Sequence, residues 1–211
     1  MKDIKDELRN IIIGDGSIGE TSPLKKTQNF LRRYAEASIR TKEQKYLKSE
    51  EEISLIDFAV KENLFYLNQI FEKEFISAGA EQRVYRYDDF NVVKLNDSTF
   101  YEYWLDYFNS LIIHNYFFQS TAYQFLGFKL INKQLFAVVK QEFIVANELT
   151  NLKYVKKFLA FNNFYNNRNQ DYINPDLGII FEDLHDENVL SNNGILYFID
   201  TIFYLTENFY R

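Results

Sequence analysis

Asp183 and Asn188 stand five residues apart in Phe181-Glu182-Asp183-Leu184-His185-Asp186-Glu187-Asn188-Val189-Leu190, a compact polar run between apolar flanks. Seventeen positions after Asp183, Leu196-Tyr197-Phe198-Ile199-Asp200 reads as a short strand delivering a second carboxylate. Asn193-Gly194 lies between the apolar pairs Val189-Leu190 and Ile195-Leu196, a pattern that predicts a tight hairpin. That hairpin folds Asp200 back beside Asn188. An amide oxygen next to a carboxylate suits Mg²⁺, which takes hard oxygen ligands. Asp183 then stands nearby, free to orient a hydroxyl. These are parts for phosphoryl transfer, in which catalysis is positioning plus charge neutralisation around a metal-bound triphosphate.

Such parts need a scaffold, and the hydrophobic period changes near residue 74 to supply one. Residues 75–87 read as strand, tight turn, strand; Asp88-Asp89 is turn chemistry, and Asn91-Val92-Val93-Lys94-Leu95 is a third strand. An antiparallel sheet of this form can cover a nucleotide. Gly79, near one tip, lets the backbone approach a phosphate with no Cβ in the way. Lys94, on the third strand, places an ammonium on the phosphates. Residues 99–117 read as a very aromatic helix with Glu102 early and Asp106 one turn later. His114, among Ile112, Ile113, Tyr116 and Phe117, reads as a packed, hydrogen-bonded histidine. Residues 123–130 and 135–143 read as two more strands around a turn at Asn132-Lys133. The second leaves through Gln141-Glu142-Phe143, a hinge whose backbone can meet an adenine edge. A helix near 150–161 follows, and the Asn-rich run 162–171 reads as a loop by composition.

Ahead of the sheet the pattern is helical. Ile4, Leu8, Ile11 and Ile12 recur at helical spacing, and Gly14-Asp15-Gly16-Ser17-Ile18-Gly19 interrupts them. No Lys-Ser/Thr follows that glycine run, so it reads as a plain loop rather than a phosphate loop. Ser22-Pro23 predicts an N-cap with proline at the first helical position, and Leu24, Thr27, Leu31, Tyr34, Ala35 and Ser38 line one face. Ser49-Glu50-Glu51-Glu52 reads as a capping box in front of a helix that buries Ile53, Ile56, Val60, Leu64, Leu67 and Phe71. The acidic triplet reads as a solvated cap.

Composition bounds the partners. The 211 residues carry a formal charge of −6, which argues against a nucleic-acid-wrapping protein. With 46% apolar and 18% aromatic residues the chain can bury a sizeable core. Absence of cysteine removes disulfides and thiolate metal sites and fits a cytoplasmic location. The N-terminus lacks the apolar stretch of a signal peptide, and no segment approaches a membrane span.

Gly79, Val84, Lys94, Asp183, Asn188 and Asp200, in this order and at these separations, resemble the protein-kinase-like fold. More narrowly, Asp183-Leu184-His185-Asp186-Glu187-Asn188-Val189-Leu190 with Phe198-Ile199-Asp200-Thr201 is similar to the polyvalent protein kinase domain, a small bacterial and mobile-element family. Gly79-Ala80-Glu81-Gln82-Arg83-Val84-Tyr85, His114-Asn115, Tyr123 and Gly127-Phe128 also resemble it. The resemblance implies ATP and Mg²⁺ as cofactors and an α+β fold: an antiparallel N-lobe sheet with a helix, over 74–142, and a truncated C-lobe over 143–211. A helical N-terminal extension over 1–73 precedes them. It implies that Asp183 orients the attacking hydroxyl, that Asn188 and Asp200 ligate Mg²⁺, and that Lys94 binds the α and β phosphates, paired with Glu102 or with its rival Asp106. Gly79, Ala80, Val84, Gln141 and Phe143 would surround the nucleotide. Two substrates stay open, a protein hydroxyl and, from His185, a small molecule as in aminoglycoside- and choline-kinase relatives. Ser77 and Gln82 stand in the outer glycine positions, Phe181 in that of the usual catalytic-loop His, and Thr201-Ile202 where Phe-Gly normally follows the metal-binding Asp. Only eleven residues follow Asp200, so no activation segment and no activation-loop phosphorylation are expected. Against an active phosphotransferase stands a nucleotide-binding or interaction module without catalysis.

Overall fold

A computed structural model of the protein describes residues 2–14, 22–40, 47–79 and 82–211. Along the chain run α1 (Lys2–Ile13), α2 (Pro23–Arg40), α3 (Lys48–Lys61), β1 (Phe75–Ala78), β2 (Gln82–Arg86), β3 (Asn91–Asn96) and α4 (Trp104–Phe117). Next come β4 (Gln124–Ile131), β5 (Gln134–Glu142), α5 (Leu152–Phe161), β6 (Tyr165–Arg168), β7 (Asp171–Asn174) and β8 (Ile179–Glu182). The last elements are β9 (Val189–Asn192), β10 (Ile195–Phe198), β11 (Ile202–Leu205) and α6 (Glu207–Tyr210). The fold is α+β, as the sequence pattern predicts. Two compact units emerge: one from the described residues between 22 and 108 with Tyr123–Phe143, the other from residues 2–14, Asn109–Ala122 and Ile144–Arg211. The glycine run read as a loop lies, from Asp15 onward, outside the described residues.

The first unit is built on one antiparallel sheet in the order β1-β2-β3-β5-β4. Its strands form where the alternation of apolar residues predicts them. Tyr85, Val93, Leu95, Phe136 and Val138 pack as a buried cluster on one face, with Tyr66, Ile70, Leu126 and Ile131 against them. Residues directly opposite in an antiparallel pair share a face. Val84 lies opposite Lys94, and Lys94 opposite Val139, so these three point away from that cluster.

Two helices of this unit begin and end by recognisable chemistry. Ser22 Oγ accepts from Lys25 N at 3.2 Å, the expected cap of α2, and Leu24, Thr27 and Leu31 are buried. Helix α3 differs from its reading. It ends at Lys61 rather than running to Phe71, because Asn63 adopts a left-handed conformation (φ 54°) and the chain closes with Asn63 N→Val60 O and Leu64 N→Ala59 O. That pair of bonds is a Schellman termination with Asn in the glycine role. Residues 64–66 then bridge to β4 through Tyr66 N→Phe128 O and Phe128 N→Leu64 O, both 2.7 Å. Gly127 (φ +134°) makes this approach possible, since a Cβ there would lie 2.3 Å from Leu64 O.

The buried face of α3 is Glu51, Leu55 and Ala59, while Ile53, Val60, Leu67 and Phe71 are exposed. The capping box does not form: Leu47 is the N-cap and no side chain caps it. The acidic residues are recruited elsewhere. Glu51, fully buried, accepts from Trp104 N at 2.7 Å and Leu105 N at 3.2 Å, so its carboxylate caps the N-terminus of α4. Glu52 accepts from Trp104 Nε1 at 3.0 Å. Lys48 donates to Ser98 O and, at 2.8 Å, to Tyr101 O. Three side chains of one helix thus fix the turn that starts another.

The second unit holds a four-stranded sheet, β11-β8-β7-β6, and the two-stranded β9-β10. Within the run 162–171, read as a loop, residues 165–168 are instead β6 and Asp171 opens β7, a hairpin turning at Asn169 (φ 47°). Its core is aromatic: Phe118 stacks on Phe198 with ring centroids 4.4 Å apart, and Phe181 on Phe203 at 4.2 Å. Leu8 and Ile12 of α1 are buried in this unit, and Lys5 and Arg9 donate to the carbonyls of Asn208 and Tyr210.

Replacing the Glu51 cap leaves two donors of α4 without an acceptor in a dry site. Glu51→Ala is expected to lower the unfolding free energy by about 2 kcal/mol in chemical denaturation, and Glu52→Ala by less than about 1 kcal/mol. Equal small losses in both would remove Glu51 from this role.

Candidate active site

Asp183 follows β8 directly and takes a left-handed backbone conformation (φ 62°), unusual for a residue with a Cβ. The conformation is held from several sides. Its own amide donates to Asp171 Oδ1 at 3.2 Å, and the next amide, Leu184 N, donates to Gln170 O at 3.2 Å. Leu184 itself is buried, which pins the turn below its polar tip. Asp171 and Gln170 belong to the β6–β7 hairpin, so the segment read as a loop is the support of this turn.

Asn188 closes the loop. Its Nδ2 donates to Asp183 O at 2.9 Å and to Asp183 Oδ2 at 2.8 Å. Its backbone carbonyl accepts from Ile199 N at 3.0 Å and from Asp200 N at 3.4 Å. The register explains the second pair: β9 and β10 align Val189 with Phe198, so the strand leaving β10 passes alongside Asn188. Asn193 and Gly194 turn with φ 52° and 76°, the type I′ geometry expected of Asn-Gly. Asp183, Asn188 and Asp200 are therefore brought together.

His185 Nε2 lies 3.4 Å from Asp183 Oδ1, while its Nδ1 accepts from Glu187 N at 3.3 Å. The Asp183 side chain is about half exposed. Glu182, just before it, has its carboxyl raised above the ordinary value, first by burial and then by the charges of Asp171 and Asp183. Phe181, in the position of the usual histidine, is a member of the aromatic stack and takes no part in the polar loop.

In the sheet unit, Lys94 is only 3% exposed, so it is not a lysine on a solvated strand face. Its Nζ sits 5.5 Å from the centre of the Tyr123 ring. The alternation along β3 and β5 puts Val84, Lys94, Val139 and the buried Gln141 on one face. Phe143 N donates to Phe90 O at 2.7 Å, and its ring lies 4.9 Å under the Arg86 guanidinium. Gly79 donates to Gln82 O at 2.8 Å; a Cβ there would meet nothing closer than 4.0 Å. Ala80 lies outside the described residues.

The start of α4 departs from the reading of a helix from residue 99. The helix begins at Trp104, and Glu102 lies on the preceding bend, exposed, with the Tyr103 hydroxyl as a hydrogen-bond partner. Asp106, in the first turn, accepts from Tyr103 N at 3.2 Å, and burial raises its carboxyl above the usual range.

The donor chemistry fits a magnesium–phosphate partner. Among the described residues no three His, Cys, Asp or Glu side chains gather into a closed metal cage. Mg²⁺ rarely needs one; it is held by one or two protein oxygens, with phosphates and water completing the shell. Since the Asn188 amide nitrogen is committed to Asp183, its Oδ1 is the atom left for a cation, and the backbone of Asp200 runs past the same residue. No described helix is long and apolar enough to cross a membrane.

A family model described as a serine/threonine/tyrosine kinase found in polyvalent proteins matches residues 48–207, well over half of the chain. The match takes in α3. No curated protein and no solved structure matches the sequence.

A raised carboxyl favours its protonated form in the fold. Its stability contribution is full below the ordinary value of 4.5 and is lost as pH rises through the folded value. Glu182→Gln is therefore expected to raise the melting temperature of the unliganded protein at pH 7 to 8. The gain should vanish below about pH 4. A gain independent of pH would remove Glu182 as its source.

Proposed function

The chain belongs to the serine/threonine/tyrosine kinase family found in polyvalent proteins, and on that premise we propose that it transfers the γ-phosphate of ATP to a hydroxyl, with Mg²⁺ as cofactor. The family description favours a protein side chain as acceptor; a small-molecule alcohol is the second class. One observation carries the reading. A single residue, Asn188, holds the Asp183 carboxylate with its side chain and the Asp200 backbone with its carbonyl.

Each group then has a task that its surroundings suit. Asp183 presents a carboxylate to solvent from a rigid turn, with Oδ2 engaged by Asn188 and Oδ1 toward His185. Such a group accepts the hydrogen bond, and finally the proton, of an incoming hydroxyl. Asn188 Oδ1 and the Asp200 carboxylate would hold the cation. Bound there, Mg²⁺ would neutralise charge on the phosphate oxygens. Lys94, desolvated on its sheet face beside Val84 and Gln141, would bring a second positive charge to the phosphates. Gly79 leaves open space at the β1–β2 hairpin, where a phosphate can approach the backbone.

A module that binds nucleotide without transfer is the second reading. It is favoured by the position of Glu102, which is exposed and engaged with Tyr103 rather than set on α4. Incubation with γ-labelled ATP and Mg²⁺ separates the two. The wild type is expected to incorporate label into itself or a generic protein acceptor. Asp183→Asn should cut incorporation by about a hundredfold or more while still binding nucleotide. Intact nucleotide binding with no transfer by the wild type would establish the second reading.

A further inference from the structure

His114 is fully buried at the level of α4 that belongs to the loop-bearing unit. Its ring is not merely packed. Nε2 lies 2.8 Å from Thr121 O, and Nδ1 lies 2.7 Å from Thr201 Oγ1. A carbonyl only accepts, so Nε2 carries hydrogen, and in the neutral ring Nδ1 accepts from the Thr201 hydroxyl. Thr121 extends the chain: its Oγ1 donates to Phe198 O at 2.7 Å. One turn before His114 on the same helix face, Ser110 Oγ accepts from Phe203 N at 2.9 Å. The segment bearing Asp200 is thus tied at residues 198, 201 and 203, two before it, one after it and three after it. The backbone of Asp200 itself meets Asn188.

Core packing alone does not call for this arrangement. Apolar side chains would fill the space, and a buried hydroxyl–imidazole–carbonyl chain is costly unless every member is satisfied. Here every link of the chain through Thr201, His114 and Thr121 is made, and it meets the segment at residues 198 and 201, on either side of Asp200. Two neighbours share the polar character: Thr201 and Thr121 are buried, yet both hydroxyls are directed into the network.

Resting on the proposed role of Asp200 as a cation ligand, we propose that His114 is a positioning residue for the magnesium site. Acting through Thr201 and Thr121, it fixes the direction in which the Asp200 carboxylate is presented. Partners one step removed from a metal commonly change its affinity ten- to a hundredfold when removed.

The test uses the full chain and measures thermal stabilisation by ATP at fixed concentration as MgCl₂ is raised. Thr201→Val, nearly isosteric, removes only the hydroxyl donor; His114→Ala removes the ring. Both are expected to need about tenfold more Mg²⁺ for half the effect, with ATP affinity in chelator unchanged. His114→Asn, which keeps an acceptor near the Nδ1 position, should need less Mg²⁺ than His114→Ala. Unchanged Mg²⁺ demand in Thr201→Val and His114→Ala, even with a lowered melting temperature, would reduce the network to packing and overturn the inference. Absence of any Mg²⁺ effect in the wild type would overturn the proposed cation site together with it, so the two failures are distinguishable.

Discussion

Everything in the polar loop depends on Asn188 being satisfied in two directions at once. Its side-chain amide must reach Asp183, and its carbonyl must receive the strand that carries Asp200. Neither bond is strong alone, since a hydrogen bond contributes about 1 kcal/mol net in water. Their joint effect is geometric. Three oxygen-bearing residues, scattered over eighteen positions of sequence, are drawn together at Asn188 without any of them belonging to a helix or a long strand.

The polar loop needs buttresses because short loops otherwise have many alternatives. On one side the β6–β7 hairpin supplies Asp171 and Gln170 to hold the backbone of Asp183 and Leu184. On another, α4 supplies Ser110 and His114 to hold the strand after β10. Beneath lies a tight stack of phenylalanines, among them Phe181, Phe198 and Phe203, which anchors the ends of the three strands that border the loop. Rigid aromatic packing under a polar tip is how a small structure presents charged groups with little freedom. In the sheet unit the same economy operates through Glu51, whose buried carboxylate terminates one helix while being carried by another.

Much of this was legible in the residues. Asn193-Gly194 specifies a two-residue turn with little regard to context, so the hairpin and the return of Asp200 to Asn188 could be read directly. Alternating apolar residues likewise pointed to the five strands of the large sheet, and the neighbours Ile112, Ile113, Tyr116 and Phe117 pointed to the burial of His114. What failed was what depends on distant partners. The spacing of Ile53, Ile56 and Val60 offers a helix face as regular as that of Glu51, Leu55 and Ala59; only the presence of Trp104 and Leu105 amides decides that a glutamate goes inside. The end of α3 at Asn63 was hidden because asparagine serves the left-handed terminus in place of the more familiar glycine. Composition hid strand β6 within residues 162–171, since an Asn-rich strand that is exposed at every position carries no apolar alternation. Thr201, Thr121 and Ser110 gave no local signal at all; their partners lie far along the chain.

The most direct test of the account is a calorimetric titration of ATP into the protein with Mg²⁺ present and with Mg²⁺ chelated, repeated for Asp200→Ala. If Asn188 and Asp200 form a cation site for a nucleotide phosphate, the wild type binds ATP markedly more tightly with Mg²⁺, and Asp200→Ala loses that difference while keeping the chelator-level affinity. An ATP affinity that is indifferent to Mg²⁺ in the wild type, or a Mg²⁺ effect that survives in Asp200→Ala, would contradict it.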